Sequence, residues 1–170
     1  MTTQKQNSRQ YFRSVSIIYF ALLFGQVAFV TLTLYLNPGM NSEPDDSLRD
    51  VFIYIVPIFV VNGFVAGQII FKSRLKKIKT YNNLSSKMVA YRGAMIIRLA
   101  MLEGASLFTI TICFLTADLT FLAISVFIII YFIILKPTVE KIAVDLELNR
   151  SEKIRIGNPN EVIAVFETNQ

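Results

Sequence analysis

The chain is expected to fold as an all-α integral membrane protein, a four-helix bundle of two antiparallel transmembrane hairpins followed by a short C-terminal helix and tail. Three observations lead there. Of 170 residues, 54% are hydrophobic, 14 are Phe and only 17% are charged, which is too apolar for an ordinary soluble domain of this size. No charge lies between Arg13 and Glu43, between Asp50 and Lys72, or between Asp118 and Lys136. A helix needs about 20 residues to cross the hydrocarbon core, and each gap holds most or all of that length.

The expected spans are 14–36, 51–71, 93–115 and 119–135, so residues 1–136 form the membrane domain and 137–170 a cytoplasmic helix and tail. The first span follows Lys5, Arg9 and Arg13 in the manner of a signal peptide. Its apolar run is too long for a signal core and ends in Leu36-Asn37-Pro38-Gly39 instead of a small-x-small cleavage site. The second span carries Pro57, which removes one helical hydrogen bond and is expected to kink its outer half. The third is interrupted by Arg98 and Glu103 but is long enough to cross.

The connections fit that count. Asn37 to Asp50 is an acid- and Pro-containing loop, and Thr116-Ala117-Asp118 is a tight turn whose Asp118 suits a helix N-cap. Lys72 to Lys87 is expected to be a basic linker, with Ser85 or Ser86 capping the third helix. Beyond Lys136, Pro137 suits a first helical turn, and Val139, Ile142, Ala143 and Leu146 recur on one face. Gly157-Asn158-Pro159-Asn160 breaks that pattern. Glu161 to Phe166 has the composition of a strand or a docked peptide, which is unstable in isolation.

Charge sets the expected orientation. Lys5, Arg9 and Arg13 lie on the same side as Lys72, Arg74, Lys76, Lys77, Lys79, Lys87 and Arg92, and as Lys136, Lys141, Arg150, Lys153 and Arg155. The opposite side holds Glu43, Asp45, Asp46, Asp50 and Asp118 with Arg49 alone. The positive-inside rule therefore puts both termini and the middle loop in the cytoplasm, of the inner membrane if the source is bacterial. The net charge of +5 is read as a membrane-orienting collar, not a nucleic-acid surface.

Glu103 is the leading candidate for function, because ionisable groups within a span are costly and usually face the protein interior. Counting 1.5 Å per residue from Thr116 puts Glu103 about 20 Å in and Arg98 about 27 Å in, at the membrane edge. Asn62 and Gln26 fall at comparable depth, so Glu103, Asn62 and Gln26 form a candidate intramembrane polar layer. Arg98 stands about 140° around the helix from Glu103 and is not its natural partner. The carboxyl is then either a structural clamp or a proton or cation site. For packing, Gly63-x-x-x-Gly67 on the second span is expected to meet Gly93, Ala100, Gly104 and Thr111 on the third, since small residues let backbones approach in lipid.

Enzymatic chemistry finds little material, and no enzyme activity, cofactor or metal is expected. There is no His, and the single Cys113 lies in apolar sequence. Tyr11, Tyr19, Tyr35, Tyr54, Tyr91 and Tyr131 fall mostly near span ends and read as interface anchors. The expected partners are the lipid bilayer and either further copies of the chain or a larger membrane protein.

Arg98-x4-Glu103-Gly104-x2-Leu107-Phe108, with Pro137-Thr138 after the last span, resembles small four-helix membrane proteins of Bacteroidota-type bacteria. That resemblance covers both hairpins and implies fold and location without an activity. Glu103-Gly104-Ala105 beside Gly63 and Gly67 is also superficially similar to rotary-ATPase proteolipids. Those proteins carry the acid on the fourth helix, not the third, and the glycine ladder of their first helix is absent here.

Overall fold

The computed structural model describes residues 2–36 and 46–168. Strand β1, Thr2–Asn7, leads into helix α1, Ser8–Leu36. Helices α2, Asp46–Lys79, α3, Leu84–Thr116, and α4, Leu119–Ile134, follow, then α5, Val139–Asp145, α6, Arg150–Gly157, and strand β2, Val162–Thr168. Helices α1, α2 and α3 are long and apolar enough to cross a membrane; α4 reaches that standard only together with α5, from which it bends by 85°. Sixteen residues rise about 24 Å, short of a core about 30 Å thick. The helices suit a multi-pass membrane protein of three spans, or four if the bent pair counts as one.

Several ends differ from expectation, each for a local reason. α1 starts six residues before the expected span because Asn7 and Gln10 form a capping box: the Gln10 N–H donates to Asn7 Oδ1 and the Asn7 N–H to Gln10 Oε1. The basic segment 72–87 is mostly helix, broken only at 80–83, since Lys and Arg are good helix formers. Asn83, not Ser85 or Ser86, caps α3 by accepting from the Ser85 N–H. Pro57 is accommodated inside a continuous α2. The helix expected after Lys136 is two helices, capped by Thr138 and by the Asn149–Glu152 box and parted where Glu147 adopts a φ of 50°. The expected turn at 116–118 is present, with Ala117 at φ 54° and Asp118 accepting from the Thr120 N–H. The acidic loop expected from Asn37 lies outside the described residues up to position 45.

The chain divides into two compact units, with α1, α2 and α3 contributing segments to both. The first contains residues 1–19, 69–97 and 136–170, so the tail set apart by sequence groups with three helix ends. Here β2 finds its partner in β1, antiparallel from Thr2↔Thr168 to Asn7↔Val162 with an irregularity between Gln6 and Asn7. A two-stranded ribbon alone is marginal. It is secured by the Ser8 N–H donating to Glu161 O, by the Val165 N–H donating to Ser85 Oγ at 2.8 Å, and by Arg92 over the Phe166 ring. Tyr11 and Tyr91, expected at a lipid interface, are buried; their hydroxyls donate to Met88 O at 2.8 Å and Asp145 Oδ2 at 2.7 Å.

The second unit contains residues 20–68 and 98–135. α3 supplies much of its core through Leu99, Leu102, Ala105, Ile110 and Cys113, while α4 buries Phe121, Ser125, Ile128 and Phe132 along one stripe. Val56 joins Ile112, Cys113 and Phe121 in one cluster, consistent with a packing role for the thiol. Many large apolar side chains of this unit face outward, including Phe24 and Phe127, each 73% exposed. That inversion is what a lipid-facing surface requires.

Candidate functional site

The candidate residues all lie in the second unit, on α1, α2 and α3. α2 and α3 do pack through the glycines, but the register differs from the expected one. A Cβ on Gly63 would meet Ala105 Cβ at 3.4 Å and Met101 O at 3.5 Å, and one on Gly67 would meet Met101 Cβ at 3.3 Å. Gly93 and Gly104 have nothing within 4 Å of such an atom. The close approach is therefore made over Arg98, Met101 and Ala105, while Gly104 and Ala100 are exposed. The pattern of small residues on α3 identified a helix face, but that face is turned away from the tightest contact.

Beside the contact runs a groove of about 310 Å³ whose lining includes Asn62, Gly63, Ala66, Ala100, Met101 and Gly104. Asn62 is exposed, and its Nδ2 donates back to Ile58 O of its own helix at 2.8 Å. The side chain's carbonyl oxygen and second N–H thus remain available to an outside partner.

Glu103 points elsewhere. A Cβ on Gly25 would lie 3.6 Å from its Oε1, so the carboxyl leans on α1 where a glycine leaves room. It is half-buried and makes no hydrogen bond or ion pair among the described residues. Gln26, adjacent to Gly25, is fully buried; its Nε2 donates to Leu22 O at 3.4 Å and its Oε1 has no partner among the described residues. The expected three-residue layer is thus divided: Glu103 and Gln26 are associated with α1, and Asn62 is on the α2–α3 groove. Helix rotation decides this, since residues of equal depth need not share a side.

Four polar contacts escaped the sequence reading. Gln68 Nε2 and Arg98 Nη2 both donate to the Tyr131 hydroxyl oxygen, at 2.6 and 3.2 Å, which ties α2, α3 and α4 together. Arg98 is thus part of a tertiary contact as well as a cation near the end of the apolar run. Ser106 Oγ and Ser125 Oγ lie 3.2 Å apart in the core. The available signal was that Gln68, Ser125 and Tyr131 are among the few polar residues in their apolar runs. At the 116–118 turn Arg49 Nε donates to Asp118 Oδ2 at 2.8 Å. Burial pushes the Asp118 carboxyl up, but bonds from Thr120 and Arg49 outweigh it and hold the group below its ordinary value.

The described residues contain no group of three or more His, Cys, Asp or Glu able to hold a metal ion. No protein-family model, curated protein or solved structure matches the chain.

Proposed function

We propose that the protein is a structural or accessory subunit of a membrane assembly, a four-span bundle in a bacterial inner membrane with both termini cytoplasmic, and that its α2–α3 groove docks a second copy of the chain. The observation that carries this reading is Asn62, an amide exposed beside Gly63, Ala100 and Gly104 with only part of its hydrogen-bonding capacity used. Hydrocarbon offers such an amide no partner, so a neighbouring helix is its natural complement. Asn both donates and accepts, and two copies related by a twofold axis satisfy each other reciprocally. The small residues beside it admit the close backbone approach that drives association in lipid.

Association in nanodiscs or mild detergent, followed by energy transfer on dilution, tests the reading. Gly104→Leu and Asn62→Leu are each expected to weaken self-association by roughly tenfold, the size of effect seen for polar and packing contacts between membrane helices. Val65→Leu is the bulk control and is expected to leave it unchanged. Wild-type association in both groove variants would end the proposal.

A second reading is favoured by Glu103, a carboxyl in an apolar helix with no described partner, which is a general mark of proton or cation sites. In proteoliposomes under an imposed gradient, Glu103→Gln is expected to abolish ion flux if that reading holds. Equal flux through wild type and variant removes it.

A further inference from the structure

The first unit contains a cavity of a different character, about 390 Å³, lined by Arg74, Lys77, Ile78, Tyr81, Ala90 and Gly93. We propose that this cavity binds the phosphate group of an anionic lipid headgroup. Its volume lies within the range of small-ligand sites, about 300–1,000 Å³. Arg74, Lys77 and Ile78 stand at i, i+3 and i+4 on α2 and so share one face, and Tyr81 follows in the turn, its N–H donating to Ile78 O. From α3 come only Ala90 and Gly93, and a Cβ on Gly93 would meet nothing within 4 Å. Two cations and a phenol therefore border space that the facing helix leaves open.

The lining contains no acid, and among the described residues neither Arg74 nor Lys77 has an ion pair. Lys79 is bound to Glu147 at 2.7 Å and Lys87 to Glu152 at 2.8 Å, whereas Lys72 and Lys76 have no ion pair among the described residues and lie outside the cavity. What distinguishes Arg74 and Lys77 is the acid-free cavity they border. Guanidinium supplies planar paired donors to phosphate oxygens and ammonium a point charge. Location along the chain identifies the source of the phosphate: Arg74 and Lys77 lie three and six residues past Phe71, the last residue of the α2 apolar run. At about 1.5 Å per residue, that is headgroup depth for a span ending at 71. Basic pockets at this level are a recurrent means of holding lipid headgroups.

A collar of lysines attracts any anionic membrane, so the test must separate a built site from net charge. Full-length protein in zwitterionic nanodiscs is titrated with phosphatidylglycerol, and retention of the lipid is read by native mass spectrometry. Arg74→Gln/Lys77→Gln is compared with Lys72→Gln/Lys76→Gln, which removes the same charge from the same helix outside the cavity. The cavity pair is expected to weaken binding about thirty-fold, and by at least about tenfold more than the control pair. Gly93→Leu, which fills the cavity without altering charge, is expected to weaken binding comparably, with helicity and elution volume checked against wild type; Ala90→Leu serves the same purpose if Gly93→Leu does not fold. Equal weakening in the two double variants, or full retention in the filled cavity, would overturn the proposal. Inorganic phosphate is titrated in parallel. Should phosphate alone bind as tightly, with the same variant pattern, the lipid source is overturned.

Discussion

The two units use their polar groups differently. In the first, residues of the helices are joined across long sequence distances to the backbone, to the segment after Lys136 and to each other: Tyr11 to Met88 O, Lys87 to Glu152, Tyr91 to Asp145 and Ser85 to the Val165 N–H. In the second, Thr109, Thr111 and Asn62 return their bonds to their own helix, while Arg49 and Asp118, Gln68 and Arg98 with Tyr131, and Ser106 with Ser125 link different helices. Long-range pairing specifies the segments of the first unit around its buried apolar residues. Where helices are surrounded by hydrocarbon, their contacts are set largely by how closely backbones and small side chains approach. The comparison points to functional candidates where polar capacity is left over: an exposed amide only partly satisfied by its own helix in the second unit, and two cations bordering an acid-free cavity in the first.

If close approach governs the second unit, the largest stability effect should come from its tightest glycine. Gly67→Leu drives a side chain into Met101 Cβ, already 3.3 Å from the first added atom, and into the backbone carbonyl of Arg98 at 3.6 Å. Overpacking of this kind costs about 1–3 kcal/mol, and more where backbone must move. Gly104→Leu adds the same bulk where nothing lies within 4 Å and is expected to leave the folded monomer intact. Thermal unfolding in detergent by circular dichroism is expected to show a lowered midpoint for Gly67→Leu and an unchanged one for Gly104→Leu. Equal midpoints would show that the glycine contact does not hold α2 to α3.

The same contrast explains how much was legible in the sequence. Charge-free runs located α1, α2 and α4 and the turn at Asp118, because hydrocarbon length is a strong constraint; α3, interrupted by Arg98 and Glu103, was legible from its length. The 17-residue gap over α4 yields a 16-residue helix, which reaches spanning length only together with α5. Thr2–Asn7 received no assignment from sequence, because its identity as a strand comes from pairing with β2, more than 150 residues away. The capping box of Asn7 and Gln10 was readable, but it lay upstream of the apolar run that defined the helix. At the candidate site, depth was legible and rotation was not. Counting residues put Asn62, Gln26 and Glu103 at one level, and packing then sent Asn62 to the groove and left Glu103 on Gly25. The cavity at Arg74 and Lys77 was hidden inside a basic segment whose orienting role alone accounts for its composition.

The second effect, local to the polar unit, carries a pH signature. Lys87 Nζ and Glu152 Oε1 are 2.8 Å apart with both side chains only 12% exposed, whereas the Lys79–Glu147 and Arg155–Glu161 pairs are far more open. Burial pushes the Glu152 carboxyl up, but the bonds from Lys87 and from the Asn149 N–H, with the charges of Lys87 and Arg155, outweigh it and hold the group below its ordinary 4.5. A carboxyl depressed on folding contributes stability that is complete above its unfolded value and is lost as pH falls through the folded one. Glu152→Gln is therefore expected to lower protection of α6 and β2 amides at pH 7 by about 1.5–3 kcal/mol, the scale of a charge-assisted bond. That difference is expected to close as pH drops below 4.5 and the wild-type carboxyl protonates. Glu147→Gln, at an exposed pair, is expected to change protection by no more than about 1 kcal/mol at any pH. Hydrogen exchange read by mass spectrometry, with rates referred to the intrinsic rate at each pH, makes the measurement. A Glu152→Gln deficit that persists undiminished at pH 3 would place the loss in packing or capping, and the ion pair would no longer distinguish this unit from its neighbour.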